Sequence, residues 1–263
     1  MSRECMESVR QFKVDKGSVA MWWLGQMGYL IKTSEGTVLS VDAYLTNSCK
    51  KIGETLGLNF DRSAPVFIEP EELEIDHFLC THSHYDHADP ETIGRLRKEA
   101  VETFVGPGLA CETFCRCGVG EARIQQVYPG GKAQVSDVLV HGTFAMPTDD
   151  SDLNHMGFVL AVENGPRIYI SGDTDYSDLL VHVRKLEPDL MIVCINGGFN
   201  NMSHWEAADL AATIKPKVAI PCHYDMFPDN SADPQQFRAC LRYRASGVRY
   251  EQLDYVQPFV FKS

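Results

Sequence analysis

The chain has 263 residues with 36 Asp or Glu against 24 Lys or Arg, a formal charge of −12 with histidine neutral, and 44% of its residues are hydrophobic. That composition reads as an acidic, soluble globular protein and excludes a disordered or fibrous chain. Lys and Arg are scattered rather than clustered, so no nucleic acid is expected as a partner; the longest apolar runs, 190–195 and 218–221, fall far short of the ~20 residues that cross a bilayer, so no membrane partner is expected either.

In chain order, residues 1–16 mix Arg3, Glu4, Glu7, Arg10 and Asp15 without an apolar run, which points away from a secretory signal and toward the cytoplasm. Nine cysteines, an odd number spread along the chain, fit reduced thiols in that compartment. Residues 18–42 read as three strands, 18–24, 29–32 and 37–42, punctuated by Gly25, Gly28 and the Glu35-Gly36 turn. The stretch 43–70 is polar and irregular, and long enough to be a functional loop or flap. A strand over 77–81 then leads into a histidine-rich loop, and Asp89-Pro90-Glu91 opens a helix to residue 100, with Asp89 as N-cap and Pro90 in the first turn. Further strands are predicted at 102–105, 124–127, 138–144, 158–162, 167–171, 190–193 and 218–221. Helices are predicted at 109–117, 176–186, 204–214 and 234–244. A strand-rich first half followed by β-α alternation suggests sheets sandwiched between helices.

The informative segment is Cys80-Thr81-His82-Ser83-His84-Tyr85-Asp86-His87, three imidazoles and one carboxylate within six residues. If the strand ends at Thr81 and stays locally extended, His82 and His84 project to one side. Asp86 and His87, after a bend, then face a point about one side chain away. This spacing suits two adjacent metal centres. Nitrogen and oxygen donors without thiolate match Zn²⁺, Mn²⁺ or Fe²⁺ in an open, catalytic site rather than a closed structural one. Two strand ends offer further ligands: Asp173 in Ser171-Gly172-Asp173-Thr174, placed to bridge both ions, and His223 in Pro221-Cys222-His223-Tyr224.

The order H-x-H-x-D-H, strand-end Asp, strand-end His resembles the metallo-β-lactamase superfamily. With Ala20-Met21-Trp22-Trp23-Leu24-Gly25, Leu39-Ser40-Val41-Asp42-Ala43-Tyr44 and Ile220-Pro221-Cys222-His223-Tyr224-Asp225 added, the chain is similar over 18–262 to the L-ascorbate-6-phosphate lactonase family. The resemblance implies an α+β fold, a four-layer αββα sandwich, formed as one domain over 1–263 with a binuclear site at one edge of the two sheets. It implies His82, His84, Asp86, His87, Asp173 and His223 as metal ligands. His155 is expected as a seventh ahead of Asp149, Asp150 and Asp152, because its imidazole matches the ligand type. Two divalent ions, Zn²⁺ or Mn²⁺, are the implied cofactors.

A bound divalent ion lowers the pKa of its water from 15.7 to about 7. The expected reaction is therefore hydrolysis, in which a metal-bridging hydroxide opens a lactone or ester of a small sugar acid, phosphorylated or not. Asp86 is the expected catalytic residue, holding a metal and orienting the nucleophile. Asp42, closing its strand, reads as a structural acid beside the site rather than a ligand. Asn196, Asn200 and His204 are candidates to line the substrate pocket, although a turn and an N-cap at Ser203 account for that segment as well. Tyr176 and Tyr224 either hydrogen-bond substrate or pack. Phosphate recognition would need Lys, Arg or a helix N-terminus, with Lys32, Lys50 and Lys51 as candidates.

Cys111, Cys115 and Cys117 fit no common zinc spacing and read as buried helix residues. Of Trp22 and Trp23, one indole is expected in the core and the other toward a second layer or the site. The expected partner is a small molecule, and the oligomeric state, a homo-oligomer included, is open. The same two-metal chemistry would also serve a phosphodiesterase or nuclease. From a different class, the alternative is a non-hydrolytic metal-binding module.

Overall fold

A computed structural model describes residues 2–263, with side chains from Glu4 onward. Met1, the first residue of the expected domain, lies outside the described residues. The strands are β1 (Ser18–Gly25), β2 (Gly28–Thr33), β3 (Val38–Val41), β4 (His77–Leu79), β5 (Thr103–Gly106), β6 (Ile124–Gln126) and β7 (Lys132–Val135). They continue as β8 (Val138–Phe144), β9 (Met156–Val162), β10 (Arg167–Ile170), β11 (Leu190–Cys194), β12 (Val218–Cys222), β13 (Arg249–Tyr250) and β14 (Phe259–Lys262). The α-helices are α1 (Ser2–Gln11), α2 (Cys49–Leu56), α3 (Pro90–Arg95), α4 (Gly108–Arg116), α5 (His204–Ile214) and α6 (Pro234–Arg244).

The strands form two seven-stranded sheets, ordered β14-β1-β2-β3-β4-β5-β6 and β13-β12-β11-β10-β9-β8-β7. Each sheet begins as an antiparallel meander and ends as a parallel run: β3 to β6 in one, β10 to β13 in the other. Period-2 alternation decides the layers. On β1, Val19, Met21 and Trp23 face the core shared with the second sheet, whereas Ala20, Trp22 and Leu24 face the outer layer containing Ile93 of α3, Phe114 of α4, and Met6 and Val9 of α1. Leu210 and Phe237, from α5 and α6, bury against the second sheet. The result is the four-layer α+β sandwich.

The two indoles separate accordingly. Trp22 meets Phe12 edge-on at 5.4 Å, and Trp23 stacks on Tyr255 at 4.5 Å and Tyr224 at 5.1 Å. Lys32 is spent on the C-terminal end of α1, where its amine donates to the carbonyls of Val9 and Arg10.

Local departures from the sequence expectations have local causes. Within 43–70 the polar run folds into α2, which ends at Gly57 in the left-handed conformation. Arg62 ties that segment down by donating to the carbonyls of Ala64, Tyr44, Thr46 and Pro65. Helix α3 stops at Arg95 because Leu96 turns extended, and 98–100 is a separate 3-10 turn. The predicted helix at 176–186 is a 3-10 helix over Asp178–Leu186. Edge strands β7, β13 and β14 are too short or too exposed for the pattern to reveal them. Cys111 is buried as expected, but Cys115 is exposed on the outer face of α4.

Asp89 does more than cap α3. Its carboxylate accepts from Glu91 N and Thr92 N of the helix and from the hydroxyls of Thr92, Thr46 and Ser48, all in a fully buried position. Asp89→Ala removes an N-cap and orphans two buried hydroxyls, so a loss of about 3 kcal/mol is expected, more than a cap alone. Urea denaturation measures it, and a loss under about 1 kcal/mol would deny Asp89 the second role.

Candidate metal centre

The parallel strands deliver the site. Val41 and Leu79 are register neighbours at the ends of β3 and β4, and Cys194 and Cys222 are neighbours at the ends of β11 and β12. Side chains just beyond those carboxyl ends converge, which is where open parallel sheets place ligands. Asp42 follows β3, Thr81 and His82 follow β4, Asp173 follows β10, and His223 follows β12. Met156 N donates to Thr81 O at 3.2 Å, stitching the start of β9 to the end of β4 and setting the His155 ring 4.0 Å from that of His82. Gly172 (φ 62°) makes the approach possible, since a Cβ there would lie 2.6 Å from Met156 O.

Seven side chains meet. Three triplets, His82 with His84 and His155, His82 with His87 and Asp173, and Asp86 with His87 and His223, each hold their donor atoms within 4.8 Å of one another. Shared His82 and His87 join them into one cluster. His87 Nε2 lies 3.3 Å from Asp173 Oδ1, and His223 Nε2 lies 3.2 Å from Asp173 Oδ2 and 3.3 Å from Asp86 Oδ2. Asp150, an alternative to His155, is exposed, whereas buried Asp152 accepts from Ser83 N and Asn154 N. Asp149 sits 3.4 Å from His84 Nε2.

The tautomers follow from the hydrogen bonds. Thr81 donates its hydroxyl proton to Asp42 at 2.6 Å, so at 3.1 Å it accepts from His82 Nδ1. His87 Nδ1 donates to Asp42 at 2.8 Å, and His155 Nδ1 donates to the carbonyl of Asp173 at 3.2 Å. In each of these three rings the nitrogen left to face a cation is therefore Nε2. Those Nε2 atoms, with Asp173 Oδ1, are buried and have no hydrogen-bond partner. Leaving one such atom unpaired costs about 1–3 kcal/mol, and four converging on one space is what cation ligands look like. The residues present fit divalent cations held by imidazole and carboxylate.

Charge in the cluster is arranged to match. Burial, together with the neighbouring imidazoles, holds His82 well below the ordinary histidine range, and burial lowers His155 too. Burial would raise Asp173 and Asp86, but His223 and His87 outweigh it and keep both carboxyls ionised.

Two residues that sequence reasoning missed complete the site. Gln26, in the tight β1–β2 turn at φ 52°, donates from Nε2 to Asp86 at 2.8 Å and lies 3.1 Å from His223 Nε2. Its carbonyl accepts from Trp23 Nε1 and His223 N, so the buried indole holds the turn in register. Asn201 donates to Asp173 Oδ2 at 2.9 Å. A polar residue in a Gly-x-x-Gly turn between two largely apolar strands was the available signal for Gln26.

The cluster opens on a cleft of 480 Å³ lined by Asp86, His84, Asp173 and His223 on the site side. None of the five substrate candidates lines it. Tyr224 turns into the stack on Trp23, and Tyr176 packs on the core. Asn196 donates to Asn230 and Asn200 to the carbonyl of Thr148, so both brace cleft-lining residues from behind. His204 begins α5, beside Trp205. The lining includes Phe199, Asn201 and Asn230 instead.

Comparison with known proteins agrees with this geometry. Residues 20–223 match the model of the beta-lactamase superfamily domain. The chain is 25% identical, over 97% of its length and 82% of the relative's, to a protein of Salmonella heidelberg named "Probable L-ascorbate-6-phosphate lactonase". It is 28% identical, over 89% of its length and 85% of the relative's, to a UPF0173 metal-dependent hydrolase of Anaeromyxobacter. Among solved structures, a metallo hydrolase of Ignicoccus hospitalis superposes with a TM-score of 0.75 at 17% identity, covering 94% of this chain and 99% of that one.

Cation binding should be coupled to proton release. Burial opposes a charge on His223, but Asp173 and Asp86 outweigh it and lift the group to about 9; Asp173, Asp86 and Asp42 move His87 the same way. Both hold protons at neutral pH until a cation displaces them, so Zn²⁺ binding should tighten as pH rises toward 9, with about two protons released near neutrality. Calorimetry in buffers of different ionisation enthalpy counts them, and a count near zero contradicts the electrostatics. Separately, Asp42→Asn should weaken Zn²⁺ binding about 10–100-fold with the fold retained; unaltered affinity would deny Asp42 its orienting role.

Proposed function

The chain belongs to the beta-lactamase superfamily and is a metal-dependent hydrolase, and we propose that it opens a lactone or carboxylic ester of a small molecule with two divalent cations, Zn²⁺ or Mn²⁺. The observation that carries the reading is the clustering of the partnerless Nε2 atoms of His82, His87 and His155 and of Asp173 Oδ1 behind a cleft lined by His84, Asp86, Asp173 and His223. His82, His84 and His155 would hold one cation and Asp86, His87 and His223 the other, and Asp173, grouped with His82 and His87, would add a carboxylate. Bound there, the cations would lower the pKa of water to about 7 and polarise the scissile carbonyl.

The protein's own groups do the positioning. Asp86 lines the cleft with its side chain 18% exposed, so it can accept a hydrogen bond from the attacking water while Gln26 fixes its other contact. Asp42 and Thr81 hold two imidazoles in the tautomer that presents Nε2. Asn201 fixes the plane of Asp173. The open cleft supports a catalytic rather than an enclosed structural site. The nine free thiols support a reducing compartment, the cytoplasm, as its address, and the expected partner is a small molecule.

Metal analysis followed by a panel of lactones, carboxylic esters, thioesters and phosphodiesters with added Zn²⁺ or Mn²⁺ tests this reading. Lactone or ester turnover is the expected result, and turnover of phosphodiesters alone would overturn it. His84→Ala should lose metal and activity together while circular dichroism stays unchanged. Asp86→Asn should lower kcat by about 10²–10⁴, and a full rate in either variant contradicts the assigned site.

A further inference from the structure

The cleft beyond the cation ligands has a chemistry of its own. Helix α2 presents Cys49, Ile52 and Leu56, at i, i+3 and i+7, along one wall, and Leu109 of α4 adds to the lining. Phe60 extends the same wall with an aromatic ring, edge-on to Phe199 at 5.6 Å and 5.4 Å from Phe227. Leu56 is 62% exposed and Phe199 48% exposed, so this wall is apolar surface that the fold leaves uncovered beside its reactive centre. Phe199 is moreover held at φ 53°, a backbone conformation unfavourable for a bulky residue.

Cations are scarce in the same lining. Histidines apart, Arg116 is the one basic residue there among the described residues; it is exposed, stands one turn from Glu112 and gives an N–H to Thr113. The three lysines considered for phosphate lie elsewhere. Lys32 is bound to the end of α1, Lys50 is paired with Asp61 at 2.7 Å, and Lys51 is exposed on α2 outside the lining. A phosphate dianion would enter a lining that already carries Asp149 and Glu112 and would find a single guanidinium, Arg116, to set against them.

We infer that the substrate is an uncharged lactone or ester whose arm remote from the reacting carbonyl is an alkyl or aryl group seated against Ile52, Leu56 and Phe60, and not a phosphorylated sugar acid. The inference rests on the lactone or ester reading of the site. Carbonyl and ring lie against the polar floor while the arm extends along α2, where each buried methylene contributes to transition-state binding.

A series of γ-lactones with lengthening alkyl arms, and their ω-phosphorylated counterparts, tests this with the Zn²⁺-loaded protein. Values of kcat/KM should rise about fourfold per added methylene until the arm outgrows the wall, and each phosphorylated counterpart should fall at least about tenfold below its neutral equivalent. Leu56→Ser and Ile52→Ser should flatten that dependence, and the high exposure of Leu56 keeps the first variant's melting temperature in place. Non-hydrolysable lactams of the same series, titrated into cation-free protein, give a second readout in binding alone. A flat series, or preference for the phosphorylated arm, overturns the inference and leaves the hydrolase reading standing. Lactam affinity that climbs with arm length while no lactone or ester turns over supports the apolar seat and removes the proposed reaction.

Discussion

One buried carboxylate organises the site. Asp42 closes β3 at φ 46° and accepts hydrogen bonds from Thr81 N, Thr81 Oγ1 and His87 Nδ1. It therefore joins the ends of two neighbouring strands and, through Thr81, dictates the tautomer of His82 as well as of His87. A carboxylate with three donors is stable in a place where an unpartnered one would not be. The conformational strain at Asp42, Gln26 and His223, all at positive φ, is borne by a frame in which β1, β2, β3, β4, β11 and β12 are buried along their whole length.

From that frame the division of labour follows. The residues that touch the reacting region, Asp86 and His84, lie where the cleft admits solvent, while His82, His87, His155 and His223 are almost wholly enclosed. Enclosure keeps His82 and His155 neutral, whereas His87 and His223 are held charged by Asp86 and Asp173, which in turn keep their own charge against burial. The cleft then divides into a polar floor and an apolar wall, and the wall comes from a segment, 43–70, whose order depends on Arg62 and Asp89 rather than on a sheet.

The parts legible in the sequence share a physical feature: their geometry is local. His82, His84, Asp86 and His87 fall within six consecutive positions after a strand, and Asp173 and His223 each follow an apolar run that reads as a buried strand. The strands of the meander and of the parallel runs were legible for the same reason. Gln26 was not, because its contacts with Asp86 and His223 span 60 and 197 positions. Helix α2 was hidden by its length: eight residues rich in Lys, Gly, Glu and Thr leave only Cys49, Ile52 and Leu56 to mark its apolar face. Proximity in sequence did not place the substrate candidates: Tyr224 follows a ligand directly, yet its ring stacks on Trp23 and does not line the cleft.

What the sequence determined by itself is the chemistry available: imidazoles and carboxylates at strand ends, two layers of alternating apolar strands, and a family pattern that orders them. Only the tertiary structure decided which of His155, Asp149, Asp150 and Asp152 stands with His82 and His84, and which nitrogen of each ring is free. It also decided that the cleft is walled by Ile52, Leu56 and Phe60 rather than by lysines. Ligand type and strand periodicity are properties of neighbouring residues and survive in a linear string. Tautomer, cleft polarity and the pairing of distant side chains are set by packing two sheets face to face, and they exist only once that packing is complete.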